Sequence, residues 1–247
     1  MSSFNPFTLE GKVIFVTGAS SGIGRQIAIN CSRMGASVIL NGRNKERLQD
    51  VLSELDNGNH QIAEGDITQQ ADVANIMDSL PKLDGIVHCA GIDFRKPAKF
   101  MEEEDVSFVM GTNFSAPILL QTELLKQKKV KAGASIIFLS SMAANSPSIG
   151  HGLYSASKGA LLSYADCLAL ELAPRKIRVN CICPAMVWTK LILQDEVTEE
   201  ELRKDEQTYP LKRYGTPDDI ANLAIYLLSD AASWVTSSHI NITGGAR

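Results

Sequence analysis

The sequence predicts an α/β protein built on one doubly wound, parallel sheet of about seven strands with helices on both faces. Two observations carry this. Short apolar runs of strand length alternate along the chain with longer stretches whose apolar residues recur at helical spacing. No internal repeat, low-complexity linker or cluster of Pro and Gly interrupts the alternation, which is the order that parallel strands joined by right-handed helical crossovers require. At 247 residues, 45% hydrophobic and 21% charged, the chain suits a sizeable buried core and is unlike disordered, collagenous or coiled-coil sequences. Residues 1–247 therefore read as a single domain.

Val13–Val16 is the first strand, apolar throughout, as a strand covered on both faces must be. Ile23, Ile27, Ala28 and Cys31 then mark a helix, Ser37–Leu40 the second strand, and Leu48, Leu52 and Leu55 the second helix. His60–Ala63, Gly85–His88, Ser135–Leu139, Arg178–Cys183 and His239–Ile242 follow as apolar strands flanked by turn residues. One stretch resists assignment: residues 190–213, charged and bounded by Pro184 and Pro210. In an open α/β sheet ligands bind at the carboxyl ends of the strands, so this excursion is expected to cover that crevice and the substrate in it.

Charge and cysteine content narrow the partners. With 24 Lys+Arg against 28 Asp+Glu the net charge is −4. The basic run Lys126, Lys128, Lys129 and Lys131 follows an apolar stretch and precedes Gly133, as cations at a helix C-terminus do, so no nucleic-acid partner is expected. Cys31, Cys89, Cys167, Cys181 and Cys183 form neither a C-x-x-C motif nor a zinc spacing and read as reduced, packed thiols. His60, His88, His151 and His239 share no metal-ligand spacing, and no metal is expected. The start lacks a basic segment followed by an apolar one, and no apolar run approaches the roughly 18 residues that span a bilayer, so a cytoplasmic protein without a membrane partner is expected.

Directly after the first strand stands Thr17-Gly18-Ala19-Ser20-Ser21-Gly22-Ile23-Gly24, and a helix begins at once. Glycines at such a turn let the backbone bend tightly and approach a pyrophosphate without a Cβ clash, while the helix N-terminus offers N–H groups and a positive dipole. This is a nucleotide-binding Rossmann turn, and Gly18, Ser20, Ser21, Gly22, Ile23 and Gly24 are its candidate contacts. The spacing G-x-x-x-G-x-G resembles the compact, single-domain branch of the short-chain dehydrogenase/reductase family. At the end of the second strand, Leu40-Asn41-Gly42-Arg43 carries no carboxylate to accept from a ribose 2′-hydroxyl, and Arg43 can fork onto a 2′-phosphate. NADP(H) is therefore favoured over NAD(H), with Arg25 and Lys45 as alternative partners for the phosphate.

Tyr154 and Lys158 are four residues apart, hence on one face of a helix. A cation beside a phenol favours phenolate and lets tyrosine exchange a proton near neutral pH. Ser141 stands at the end of the apolar strand Ser135–Leu139, where hydroxyls face the crevice. Ser141, Tyr154 and Lys158 resemble the active site of the same family, and Asn113 matches its helix asparagine. The resemblance implies that Tyr154 protonates the substrate oxygen, that Ser141 hydrogen-bonds it, that Lys158 lowers the tyrosine pKa and bonds the nicotinamide ribose, and that Asn113 holds a water behind the lysine. It further implies cofactor contacts from Asp66, Ile67, Ala90, Gly91, Pro184, Val187 and Thr189. Two positions depart from the family pattern: Cys89 stands where Asn is usual before Ala90-Gly91, and Ala185 where Gly is usual.

Phe94, Met142, His151, Met186 and Trp188 lie on candidate crevice loops and are expected to line the substrate pocket, His151 as its titratable group. The implied activity is NADP(H)-dependent interconversion of a carbonyl and a secondary alcohol, with a small or carrier-bound substrate. Similarity to 3-oxoacyl-(acyl-carrier-protein) reductases makes a 3-oxoacyl thioester the default. Another alcohol, sugar or secondary-metabolite dehydrogenase, and a non-catalytic cofactor-binding regulator, are the alternatives. The family also implies a homo-oligomer, a tetramer or dimer built through the helices carrying Asn113 and Tyr154 and the last strand.

Overall fold

The computed structural model describes residues 5–190, 192 and 198–246. Seven parallel strands form one sheet in the order β3-β2-β1-β4-β5-β6-β7. They are β1 (Val13–Val16), β2 (Ser37–Gly42), β3 (Gln61–Glu64), β4 (Leu83–His88), β5 (Val130–Leu139), β6 (Arg178–Pro184) and β7 (Ser238–Ile242). All seven expected strands are present within a few residues of their expected bounds. The largest difference is β5, which begins at Val130: the polar and small Lys131 and Gly133 hide its first half, and the pairing of β4 with β5 shifts register between Leu83 and Gly85.

Helices cover both faces. Apolar side chains of α1 (Gly22–Arg33), α2 (Lys45–Glu54) and α8 (Pro217–Leu228) pack on one side in a core that includes Ile14, Val16, Ile27, Leu40, Leu48 and Leu228. On the other side α3 (Gln70–Ser79), α5 (Ala116–Lys126) and α6 (Gly152–Leu172) bury Ile76, Met77, Leu120, Leu124, Leu161 and Leu168 against Phe15, Ile86, Ile136 and Phe138. The chain reverses its winding direction between β1 and β4, and the crevice at their carboxyl ends is where a doubly wound sheet receives its ligand.

Two local features set the site. α4 (Glu103–Met110), a π-helical turn (Gly111–Ser115) and α5 run on as one helix with helical dihedrals through the junctions, and the π turn carries Asn113. π turns inside helices re-aim side chains and concentrate at functional sites. In the excursion at 190–213, residues 191 and 193–197 lie outside the described residues, while Glu199–Glu206 forms a helix, α7. Thr198 and Glu201 cap each other's backbone N–H at its start, and Leu202, Tyr209 and Tyr214 form a small core beneath it.

Candidate active site

The glycine turn is shaped by contacts rather than by flexibility. Gly18 has φ +66°, and a Cβ there would stand 2.9 Å from the backbone of Ala90; one on Gly24 would stand 2.4 Å from the Gly18 carbonyl. Thr17, fully buried, accepts the N–H groups of Cys89 (3.0 Å) and Ala90 (3.1 Å) on its hydroxyl and donates its own N–H to Val87. It thereby ties the turn after β1 to the loop after β4. This tether runs to the backbone of residues 89 and 90, so it does not depend on which side chain stands at 89. The Cys89 thiol, half-buried in the cleft wall, is pushed up to about 12 by desolvation and stays protonated at neutral pH. Ser21 precedes α1 without a side-chain cap, and the first turn has no acidic residue, so the leading N–H groups of α1 are free for an anion.

Arg43 lines the same cleft and lies 3.7 Å from Asp66. Burial pulls Asp66 upward, but the Thr68 N–H (2.9 Å), the Thr68 hydroxyl (2.8 Å) and Arg43 outweigh it and hold the carboxyl below its usual value. The two other basic candidates are engaged elsewhere: Arg25 with Glu54, and Lys45 with Glu64 at 3.9 Å. Ile67 also lines the cleft, and Ala185 is not among the residues with positive φ, so its extra methyl is carried on ordinary backbone.

Ser141, Tyr154 and Lys158 converge at the carboxyl ends of β5 and β6. β5 ends at Leu139; Ser140 turns inward and donates to the Lys158 carbonyl (2.8 Å), leaving Ser141, whose hydroxyl oxygen accepts the Ala143 N–H (3.1 Å), to face the cleft with Tyr154. Lys158, one turn after Tyr154 on α6, donates from Nζ to the Leu139 carbonyl (2.9 Å) and lies 5.8 Å from the tyrosine ring centre. Burial pushes Lys158 down to about 8 and Tyr154 up to about 12. Ser141 draws the phenol back, while Asp93 pushes it further up. In this geometry burial dominates the phenol, while the Lys158 ammonium stands beside its ring and spends one proton on the Leu139 carbonyl. The Asn113 side chain accepts from the Ile92 N–H (2.8 Å) and donates to the Ile92 carbonyl (2.9 Å) and the Ser157 hydroxyl (3.1 Å). It clamps the loop after β4, and its amide protons are spent on protein. Gly91 keeps this corner open, since a Cβ there would stand 3.1 Å from Asn113 Oδ1 and 3.2 Å from Lys158 Nζ.

The glycine turn, Arg43, Ser141, Tyr154 and Lys158 share one cleft of about 1020 Å³, whose walls also include Pro184, Val187 and Thr189; Asn113 is buried and does not line it. A separate hollow of about 670 Å³ at Tyr209, Pro210 and Ala246 contains none of them. Met142, His151 and Met186 line the cleft as expected. Trp188 and Phe94 do not. The Trp188 indole turns to α7, donating to Glu206 (2.9 Å) and stacking under Arg203 (4.3 Å), because that buried carboxylate satisfies its N–H. Phe94 is half-buried outside the cleft wall, where its neighbour Asp93 stands instead, accepting the Phe94 N–H (2.9 Å). Sequence reasoning missed Thr17, Asp93 and Glu206. Among the described residues no three His, Cys, Asp or Glu are placed to hold a metal ion, and no helix is long and apolar enough to cross a membrane.

The glycine spacing, the sheet order and the Ser-Tyr-Lys convergence agree with the relatives of this chain. A family model described as enoyl-(acyl carrier protein) reductase matches residues 18–247. The chain belongs to the short-chain dehydrogenase/reductase family. It is an oxidoreductase of that family acting on CH–OH groups. The 3-oxoacyl-(acyl-carrier-protein) reductase FabG of Rickettsia felis is 34% identical over 237 residues, covering 96% of this chain and 97% of its own. A dehydrogenase/reductase structure from Sinorhizobium meliloti superposes with a TM-score of 0.86 at 32% identity, covering 97% and 96% of the two chains. A structure from Beutenbergia cavernae described as an NAD(P)-dependent gluconate 5-dehydrogenase, with NADP bound at low occupancy, gives 0.87 at 30% identity over 98% of each chain.

Proposed function

We propose that this short-chain dehydrogenase/reductase is a cytoplasmic, NADP(H)-dependent enzyme that interconverts a carbonyl and a secondary alcohol, its single domain holding both cofactor and catalytic groups. The convergence of Ser141, Tyr154 and Lys158 beside the glycine turn in one cleft carries this reading, since a protein that only senses a dinucleotide needs the turn and not the triad. The residues fit the cofactor: the open N–H groups of α1 and the backbone near Gly18 and Gly22 suit the pyrophosphate, Arg43 the 2′-phosphate, and Val187 and Thr189 the nicotinamide end. When bound, the nicotinamide supplies or accepts the hydride.

In reduction, the Tyr154 phenol gives its proton to the substrate oxygen while the Ser141 hydroxyl stabilises the charge developing there. The burial that raises Tyr154 keeps it protonated until that moment, and an ammonium on Lys158 favours the tyrosinate that the transfer leaves. Asn113 positions the Ile92–Asp93 backbone that borders the site. Within residues 190–213, Lys190 and Ile192 border the cleft, and the small core beneath α7 packs against Met186 and Ile192, with Trp188 tied to Glu206. Relatives named as 3-oxoacyl-(acyl-carrier-protein) reductases make a 3-oxoacyl thioester one candidate substrate, to be compared with other carbonyls in the panel below. Val106, Phe108, Leu119 and Leu170 are exposed apolar residues on α4, α5 and α6 and support a homo-oligomer, to be checked by light scattering. The function is tested by NADPH oxidation against a carbonyl panel: turnover of at least one ketone, faster with NADPH than with NADH, is expected, and no turnover of any would overturn it.

A further inference from the structure

The substrate side of the cleft contains a polar pair that the chemistry above does not use. His151 Nε2 lies 3.7 Å from Asp93 Oδ2, and both residues line the cleft. The separation exceeds a hydrogen bond, so each group keeps capacity for a third partner. Both are rigidly mounted. Asp93 follows Ile92, which Asn113 grips at its N–H and its carbonyl, and Asp93 Oδ1 accepts the Phe94 N–H. His151 precedes α6; its N–H donates to the Ser148 carbonyl (3.1 Å) and its own carbonyl accepts from Ser155 (2.8 Å). His151 Nδ1 lies 2.9 Å from the Ser148 hydroxyl. With a carboxylate facing Nε2, the tautomer protonated at Nε2 is favoured, and Nδ1 then accepts from Ser148. The imidazole meets the Tyr154 ring edge to face at 6.2 Å, so the pair and Tyr154 stand side by side in the cleft wall.

We infer that Asp93 and His151 determine specificity, taking a hydroxyl on the carbon next to the reacting carbonyl, so that the substrate is a neutral hydroxyketone and its product a vicinal diol. This rests on the reading of Tyr154 as the proton donor. A hydroxyl both donates and accepts, and so satisfies the carboxylate and the imidazole together. A thioester carbonyl only accepts and leaves Asp93 unpartnered. An anionic group meets the same negative charge that reaches Tyr154 and Lys158.

The test compares kcat/KM with NADPH for acetoin, methyl ethyl ketone, α-ketobutyrate and an acetoacetyl thioester of N-acetylcysteamine, using the wild-type protein, Asp93→Asn, His151→Gln and Tyr154→Phe. Asp93→Asn keeps the Oδ1 acceptor for Phe94, and His151→Gln keeps a donor. The wild-type protein prefers acetoin to methyl ethyl ketone by about ten- to a hundredfold, the range of one hydrogen bond to a charged group, and turns over the other two more slowly still. Asp93→Asn removes most of that preference and speeds α-ketobutyrate relative to methyl ethyl ketone, and His151→Gln retains part of it. An Asp93→Asn variant that scales all four substrates equally, or a wild-type protein fastest on the thioester, overturns the inference while leaving the reductase intact. If none of the four is turned over, or Tyr154→Phe matches the wild type, the proposed function itself fails.

Discussion

Lys158 is buried, and burial depresses its folded-state pKa from 10.5 to about 8. That difference corresponds to about 3 kcal/mol of stability forgone whenever the group is charged in both folded and unfolded protein. The sign follows from proton counts. Between about pH 8 and 10.5 the unfolded chain holds the lysine proton and the folded protein does not, so stability rises with pH across that window; below pH 8 the whole cost is present. Lys158→Met removes the charge at similar length and gives up the bond from Nζ to the Leu139 carbonyl, worth about 1 kcal/mol. The cofactor-free variant is therefore expected to be about 2 kcal/mol more stable than wild type at pH 7, a rise in Tm of roughly 4–8 °C for a chain of this size. Urea unfolding of both proteins at pH 7, 8, 9 and 10, spaced about one unit apart across the titration, reads the effect. The gap between them should close as pH rises, while NADPH-dependent turnover is lost at every pH. A variant less stable than wild type at pH 7, or a gap that does not change with pH, would refute the reasoning.

Arg43→Ala is expected to raise the KM for NADPH by about tenfold or more and to leave that for NADH within about threefold, since one charge-assisted phosphate contact is removed; equal effects on both cofactors in steady-state kinetics would show that another residue holds the phosphate. Gly24→Ala forces a methyl against the Gly18 carbonyl and is expected to cost about 1–3 kcal/mol by urea unfolding and to weaken NADPH binding by calorimetry, whereas Gly152→Ala, with open space at its Cβ, changes neither. His88, buried against Phe138, is pushed down to about 4 by burial. The unfolded chain takes up that proton near pH 6.5 and the folded protein only near 4, so about 3 kcal/mol of stability is lost as pH falls between them; His88→Phe should abolish that part of the acid dependence, seen in Tm against pH.

The sheet was legible because strands buried on both faces must be apolar along their whole length, as Val13–Val16 and Ile136–Leu139 are. The first half of β5 was not, because Lys131 and Gly133 carry no such signal even where Val130 pairs with Leu83. α7 was hidden by its charge, although Thr198 followed by Glu201 is a capping-box signature that marks its start. Within the site, residues tied to a periodic element were readable: four-residue spacing joins Tyr154 to Lys158, and a strand end positions Ser141. Loop side chains lack that constraint. Trp188 and Phe94 sit in the right segments but face away from the cleft, each decided by a partner far off or next door, Glu206 and Asp93, that no period encodes. The same holds for Thr17, whose hydroxyl joins two loops 72 residues apart in sequence.

The central claim is that Tyr154 gives its proton to the substrate oxygen in an NADP(H)-dependent reduction. Tyr154→Phe tests it most directly, measured as kcat/KM on the best ketone alongside the Kd for NADPH. The expected result is a fall of at least about a hundredfold to ten-thousandfold in kcat/KM with the NADPH affinity held within about threefold. A variant that binds NADPH normally and retains wild-type turnover would contradict it.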